Sequence, residues 1–248
     1  MHFELITLFP EQFDSFFSTS IIGRAAKKGC FTENRIQLRK HGLNKYGQVD
    51  DDAYGGEAGM VMRPEPATAA IREAVANCSD KKAKVIYFTP QGRPLNQDIV
   101  KEYACGDTNA LVLFCGHYKG LDERVCETII DDEISIGDYI LTGGELPAMI
   151  FMDAVIRFQD EALGNFASAT GDSFTSRFLE HPLYTRPEVF EGMAVPEVLI
   201  SGHHKRIEEW RLEMRLRRTL KRRPDLIEKE VLTKEEKKIL NKIKGETK

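Results

Sequence analysis

No apolar run in this chain approaches the ~20 residues that crossing a bilayer requires. The opening Met1-His2-Phe3-Glu4 carries no basic segment followed by a long apolar core, which argues against a secretory leader and makes the cytoplasm the expected compartment. Cysteine is scarce and scattered: Cys30, Cys78, Cys105, Cys115 and Cys126 are odd in number and form no C-x-x-C. Neither a disulfide framework nor a zinc site is indicated, and the thiols are expected to be reduced and mostly buried. His203 and His204 are adjacent, but two imidazoles without a third acid or thiol make a poor metal site, so none is expected. No G-x-G-x-x-G follows a strand pattern and no G-x-x-x-x-G-K-S/T occurs, which excludes the dinucleotide fingerprint and the phosphate-binding P-loop. The formal net charge of −4 argues against a general nucleic-acid coat, so any polyanion site must be local.

What is present is enough for a sizeable core: 248 residues, 42% of them hydrophobic, with room for one large domain or two unequal ones. Residues 2–8 alternate toward apolar and run through Phe9-Pro10 into a helix expected to continue to Gly29. Residues 42–66 are rich in Gly, Asp and Tyr and read as a long loop, either a lid or plain surface. A helix is predicted from Pro66 to Ala76, a buried strand from Val85 closed by Pro90 and Gly92, a helix from Leu95 to Tyr103, and a strand from Ala110 closed by Gly116. Strand, Gly-bearing loop, helix, repeated, is the form of an α/β protein with a mostly parallel sheet. Ligands of such sheets sit at the carboxyl ends of strands, which nominates Thr89–Gly92, Cys115–Tyr118 and the stretch from Asp132 to Pro147.

The stretch from Asp132 to Pro147 is the most unusual. An alternating run with Ile134 and Ile136 breaks at Gly137, resumes at Tyr139, Ile140 and Leu141, and breaks again at Gly143-Gly144. Such a segment is either a β-bulge leading into a helix or a loop that presents bare N–H and C=O groups to a ligand. The following helix, Ala148 to Phe158, is apolar nearly all round except for Asp153 and Arg157, four apart with the acid first, a spacing that suits an ion pair.

From Asp160 to Thr175 the chain turns small and polar, the best domain boundary in the sequence. The expected division is residues 1–160, a linker at 161–175, and a small helical domain at 176–248. Asp172 in that linker reads locally as a helix N-cap or Asx turn. Residues 205–223 hold nine Lys or Arg against three Glu, net +6 in an acidic chain, beside an apolar stripe of Ile207, Trp210 and Met214. That concentration favours nucleic-acid contact over a merely solvated face. Thr233 to Glu236 reads as a capping box that starts a last helix.

The string ISIGDYILTGGELPA resembles the signature of the bacterial tRNA (guanine-N1)-methyltransferases, a knotted family of the SPOUT class. FELITLFPEQF, YGG-x-x-GM at Tyr54–Met60, TPQGRPLNQ, FCGHYKGLDER, TGDSF, HPLYTRPEVFEGMAVPEVLISGHH and I-x-x-W-R are similar too, and in the family's order, so the likeness runs from residue 1 to about 220. The resemblance implies a trefoil-knot domain that binds S-adenosyl-L-methionine and methylates N1 of guanosine 37, next to the anticodon. A Rossmann-type methyltransferase is disfavoured by the missing fingerprint. By resemblance the cofactor is held by Pro90, Gly92, Gly116, Ile136, Gly137, Asp138, Tyr139, Ile140, Leu141, Gly143 and Gly144. Asp172 is implied as the general base and Arg157 as the active-site cation, with Arg206, Arg211 and Arg215 on the tRNA. The partners implied are the tRNA anticodon stem-loop and a second copy of the chain, in a homodimer whose active site is shared between subunits. A dependence on Mg2+ is implied by the family alone. Two positions depart from the family pattern: Glu57 stands where a third glycine is usual, and Lys119 where Glu is common, so roles given to that acid do not carry over. The alternatives are a related knotted enzyme acting on another RNA position and an RNA-binding module with purely structural glycines.

Overall fold

The computed structural model describes residues 1–78, 82–163, 173–174, 177–228 and 231–246. The chain forms two compact units, Met1–Phe166 and Ala167–Lys248. The first opens with β1 (His2–Thr7), α1 (Asp14–Ser18), α2 (Ser20–Lys28) and β2 (Thr32–Gln37). The single helix predicted after Pro10 is two, because Thr19 is extended at φ −116° and ψ 160°. α2 ends at Gly29, whose left-handed φ of +74° lets its N–H reach the carbonyls of Ala25 and Ala26. Within the predicted loop, β3 (Asp50–Asp52) and β4 (Met60–Met62) form a short antiparallel pair. Then follow α3 (Pro64–Asn77), β5 (Ala83–Pro94), α4 (Gln97–Cys105), β6 (Ala110–Phe114), α5 (Glu123–Ile129), β7 (Asp132–Ser135) and α6 (Glu145–Ile156).

Five strands make one sheet in the order β2-β1-β6-β5-β7, every adjacent pair parallel. β6, Ala-Leu-Val-Leu-Phe, is central and buried at all five positions, as expected of a strand covered on both faces. Alternate side chains feed two cores. Phe3, Leu5, Ile86, Leu111 and Leu113 pack with residues of α2, α4 and α6 on one face; Ile6, Val85, Tyr87, Val112 and Phe114 pack with residues of α3 and α5 on the other. β5 corrects the sequence reading. It does not stop at Gly92 but continues to Pro94 with a register shift, Phe88 and Arg93 both pairing with Ile134. The residues between them are extruded from the ladder.

The second unit carries β8 (Val189–Phe190) and β9 (Met193–Ala194), then α7 (Glu197–Ile200), α8 (His204–Arg222), α9 (Pro224–Glu228) and α10 (Lys234–Glu246). Its core is Phe178, Leu216, Ile227, Leu240 and Ile243. The predicted capping box is present: the Thr233 N–H donates to Glu236 Oε2 at 2.7 Å, and the Glu236 N–H donates to Thr233 Oγ1 at 3.2 Å. Among the described residues no helix is long and apolar enough to cross a membrane.

Candidate active site

The carboxyl ends of β5, β6 and β7 meet around a cleft of about 330 Å³. Its wall includes nine of the eleven positions named for cofactor binding: Pro90, Gly116, Ile136, Gly137, Tyr139, Ile140, Leu141, Gly143 and Gly144. Gly92 and Asp138 stand elsewhere. A Cβ on Gly92 would come within 2.4 Å of the Glu133 carbonyl carbon and the Ile134 nitrogen, so that glycine serves the close approach of β5 to β7. The Asp138 side chain is exposed to solvent.

Among the glycines of the cleft, Gly144 is required by backbone contact. A Cβ on Gly144 would lie 2.7 Å from the Cys115 Cα and 2.8 Å from the Gly116 nitrogen, and the Gly144 N–H donates to the Gly116 carbonyl at 2.9 Å. On Gly143 it would lie 2.3 Å from His117 Cε1. Gly137 has φ +145°, and its Cβ would strike the Tyr139 ring at 2.6 Å. The loop therefore folds back on β6, and the Tyr139 N–H closes a tight turn on the Gly137 carbonyl at 2.9 Å.

Sequence reasoning missed the polar anchor beneath this loop. Glu145 is buried in the first turn of α6, where the helix N-terminus favours a carboxylate. It accepts from Thr7 Oγ1 at 2.6 Å and faces His117 Nε2 at 2.8 Å. One carboxylate thus ties the ends of β1 and β6 to the start of α6. The signal was available, since Thr7, His117 and Glu145 each adjoin a strand end or a glycine, but nothing in their spacing pairs them. Neighbouring Cys115 is wholly buried, and burial together with Glu145 pushes its thiol well up, so it is no nucleophile. Burial likewise pushes the Tyr87 hydroxyl, on the same wall, up to about 12.

The two departures from the family pattern meet: Lys119 Nζ lies 2.8 Å from Glu57 Oε1. Arg157 is the C-terminal cap of α6, whose twelve residues span about 18 Å. Within one chain it is therefore not brought to the cleft, which sits at that helix's other end. Asp172 lies outside the described residues, as does most of the 161–175 linker. In the second unit Arg206 is exposed, while Arg211 and Arg215 line a separate cleft of about 680 Å³ with His181 and Lys205. Arg211 pairs with Glu208 at 2.6 Å, and burial lowers the Arg215 guanidinium from its ordinary value. Among the described residues, His2, Glu4 and Cys78 form one group of metal-ligating types. They sit around the start of β1, at the opposite end of the sheet, where Glu4 already accepts from Asn34 and Asn77.

A profile of the family described as tRNA (Guanine-1)-methyltransferase TrmD matches residues 1–229. The tRNA (guanine-N(1)-)-methyltransferase of Brevibacillus brevis is 49% identical over 248 residues, covering 100% of both chains. That of Neisseria gonorrhoeae (strain NCCP11945) is 49% identical over 243 residues, covering 98% of this chain and 96% of its own. That of Oceanobacillus iheyensis is 48% identical over 241 residues, covering 97% of each.

Proposed function

The chain belongs to the tRNA (guanine-1)-methyltransferase family, and from that premise we propose that it methylates N1 of guanosine 37 in tRNA at the cleft beside Gly137–Gly144. The observation that carries this reading is the cleft at the carboxyl ends of β5, β6 and β7, walled by the Gly-broken loop from Ile136 to Gly144. Residues Ile136 to Leu141, with Gly116, Gly143 and Gly144, fit S-adenosyl-L-methionine, which when bound supplies an electrophilic methyl group. The described residues lining the cleft include no carboxylate, so they do not fit a divalent ion there.

Guanine N1 is not nucleophilic until its proton leaves. Asp172 accepts that proton, and Arg157 holds the negative charge that develops on O6. A free aspartate has a pKa near ~4, a weak base at neutral pH, so positioning and the charge on Arg157 carry the remainder of the rate. The distance of Arg157 from its own chain's cleft supports a site assembled from two chains, with the 161–175 segment of one copy approaching the other's loops. Leu146 and Ile150, one turn apart on α6 and 56% and 48% exposed, support an apolar face for that second copy. The trefoil knot follows the family, and the basic helix α8, with Arg206 on one side and Arg211 and Arg215 on the other, suits the anticodon stem-loop of the tRNA.

The test is methyl transfer to tRNA transcripts with and without guanosine at position 37, by the wild type and by Asp172→Ala. Transfer is expected only to the guanosine-37 transcripts and is nearly abolished in the variant. Methylation of transcripts without that guanosine would move the target to another position.

A further inference from the structure

The cleft is uneven in character. Its floor is apolar, with Phe88, Ile134, Leu141 and Pro147, and among the described lining residues Lys119 is the one lysine or arginine and no acid is present. The His117 imidazole is already engaged by Glu145. An adenosine fits the floor, whereas the amino-acid end of the same ligand carries a carboxylate and an ammonium on one carbon and needs opposite charges side by side. We propose that Lys119 and Glu57 are the receptor for that amino-acid end, Lys119 binding the α-carboxylate and Glu57 the α-ammonium. This rests on the S-adenosyl-L-methionine reading of the cleft.

The pair is built for such a use. The Lys119 N–H donates to the Met60 carbonyl at 2.9 Å, and the Met62 N–H donates to the Gly120 carbonyl at 2.8 Å, so β4 and the cleft wall hold each other. The lysine stem lies along Gly59, where a Cβ would come within 2.8 Å of Lys119 Cγ. The segment carrying Glu57 is thereby seated on the lysine that Glu57 pairs with. Its hydrogen bond to Lys119 holds the Glu57 carboxyl below its usual range and so ionised at neutral pH. Lys119 is 49% and Glu57 69% exposed, so neither charge must be stripped of water to reach a ligand at the rim. Two opposite charges 2.8 Å apart match a zwitterion head to tail, and the four groups close an alternating ring.

The experiment compares two thioether nucleosides by titration calorimetry: S-adenosylhomocysteine, which has the amino-acid end, and 5′-methylthioadenosine, which does not. Lys119→Met is expected to weaken S-adenosylhomocysteine about fivefold, the upper range for one exposed charge contact, and to leave 5′-methylthioadenosine unchanged. Glu57→Gln is expected to follow the same pattern with a smaller factor. Because the truncated ligand reports on the folded cleft, a loss on it equal to the loss on S-adenosylhomocysteine overturns the proposal, as does no loss on either. Failure of the wild type to bind either nucleoside would instead remove the cofactor reading on which the proposal stands.

Discussion

The buried carboxylate of Glu145 sits among a hydroxyl, an imidazole and a helix N-terminus, and a buried acid needs such partners because leaving water unpaired costs several kcal/mol. Thr7 is 138 positions away and His117 is 28, so no reading of spacing finds this group. Glu133 is the opposite case, an acid placed unfavourably. Burial first, then the charges of Glu123 and Asp132, raise its carboxyl above the ordinary 4.5. The folded state therefore holds the proton more tightly than the unfolded chain. Stability is full below pH 4.5 and falls as pH rises through the folded value. At pH 7 Glu133→Gln is expected to raise the thermal midpoint, and at pH 3 to leave it unchanged; thermal scans at the two values check this.

Elements were legible where a single segment decides its own state. β6 reads as a buried strand from Ala110-Leu-Val-Leu-Phe114, and that is what forms. β2, Thr-Glu-Asn-Arg-Ile-Gln, carries one buried side chain and was not legible, because it is a strand only by pairing along β1. Pro90 and Gly92 signal a strand end, yet β5 resumes because the Ile134 partner is met twice, and Gly92 is small enough for the approach. At the other rim of the cleft, Gly144 is pressed between backbone atoms of Cys115 and Gly116 that cannot step aside. Gly144→Ala is expected to cost about 2 kcal/mol, in the range for overpacking a close-packed site, and to weaken nucleoside binding as well. Urea denaturation and the calorimetric titration measure the two losses.

On the scale of the whole molecule, the first unit leaves an apolar face on α6, with Leu146 and Ile150 one turn apart, beside a loop whose Ile140 is 78% exposed. Exposed aliphatic side chains grouped in this way mark a contact surface. On the two-chain site proposed above, Ile150→Glu is expected to yield single chains in sedimentation velocity and to abolish methyl transfer, because the proposed role of Arg157 needs a second copy's cleft. The sequence alone was sufficient for the alternation of strands and helices, the parallel sheet, the Gly-broken loop at its carboxyl edge and the basic character of α8, because each of these is written in local periodicity, composition or turn chemistry. Which strands lie side by side, that Lys119 faces Glu57, and that Glu145 binds Thr7 and His117 were decided by the tertiary structure. Those relations join residues far apart in the chain, and only its packing brings their side chains within hydrogen-bond range.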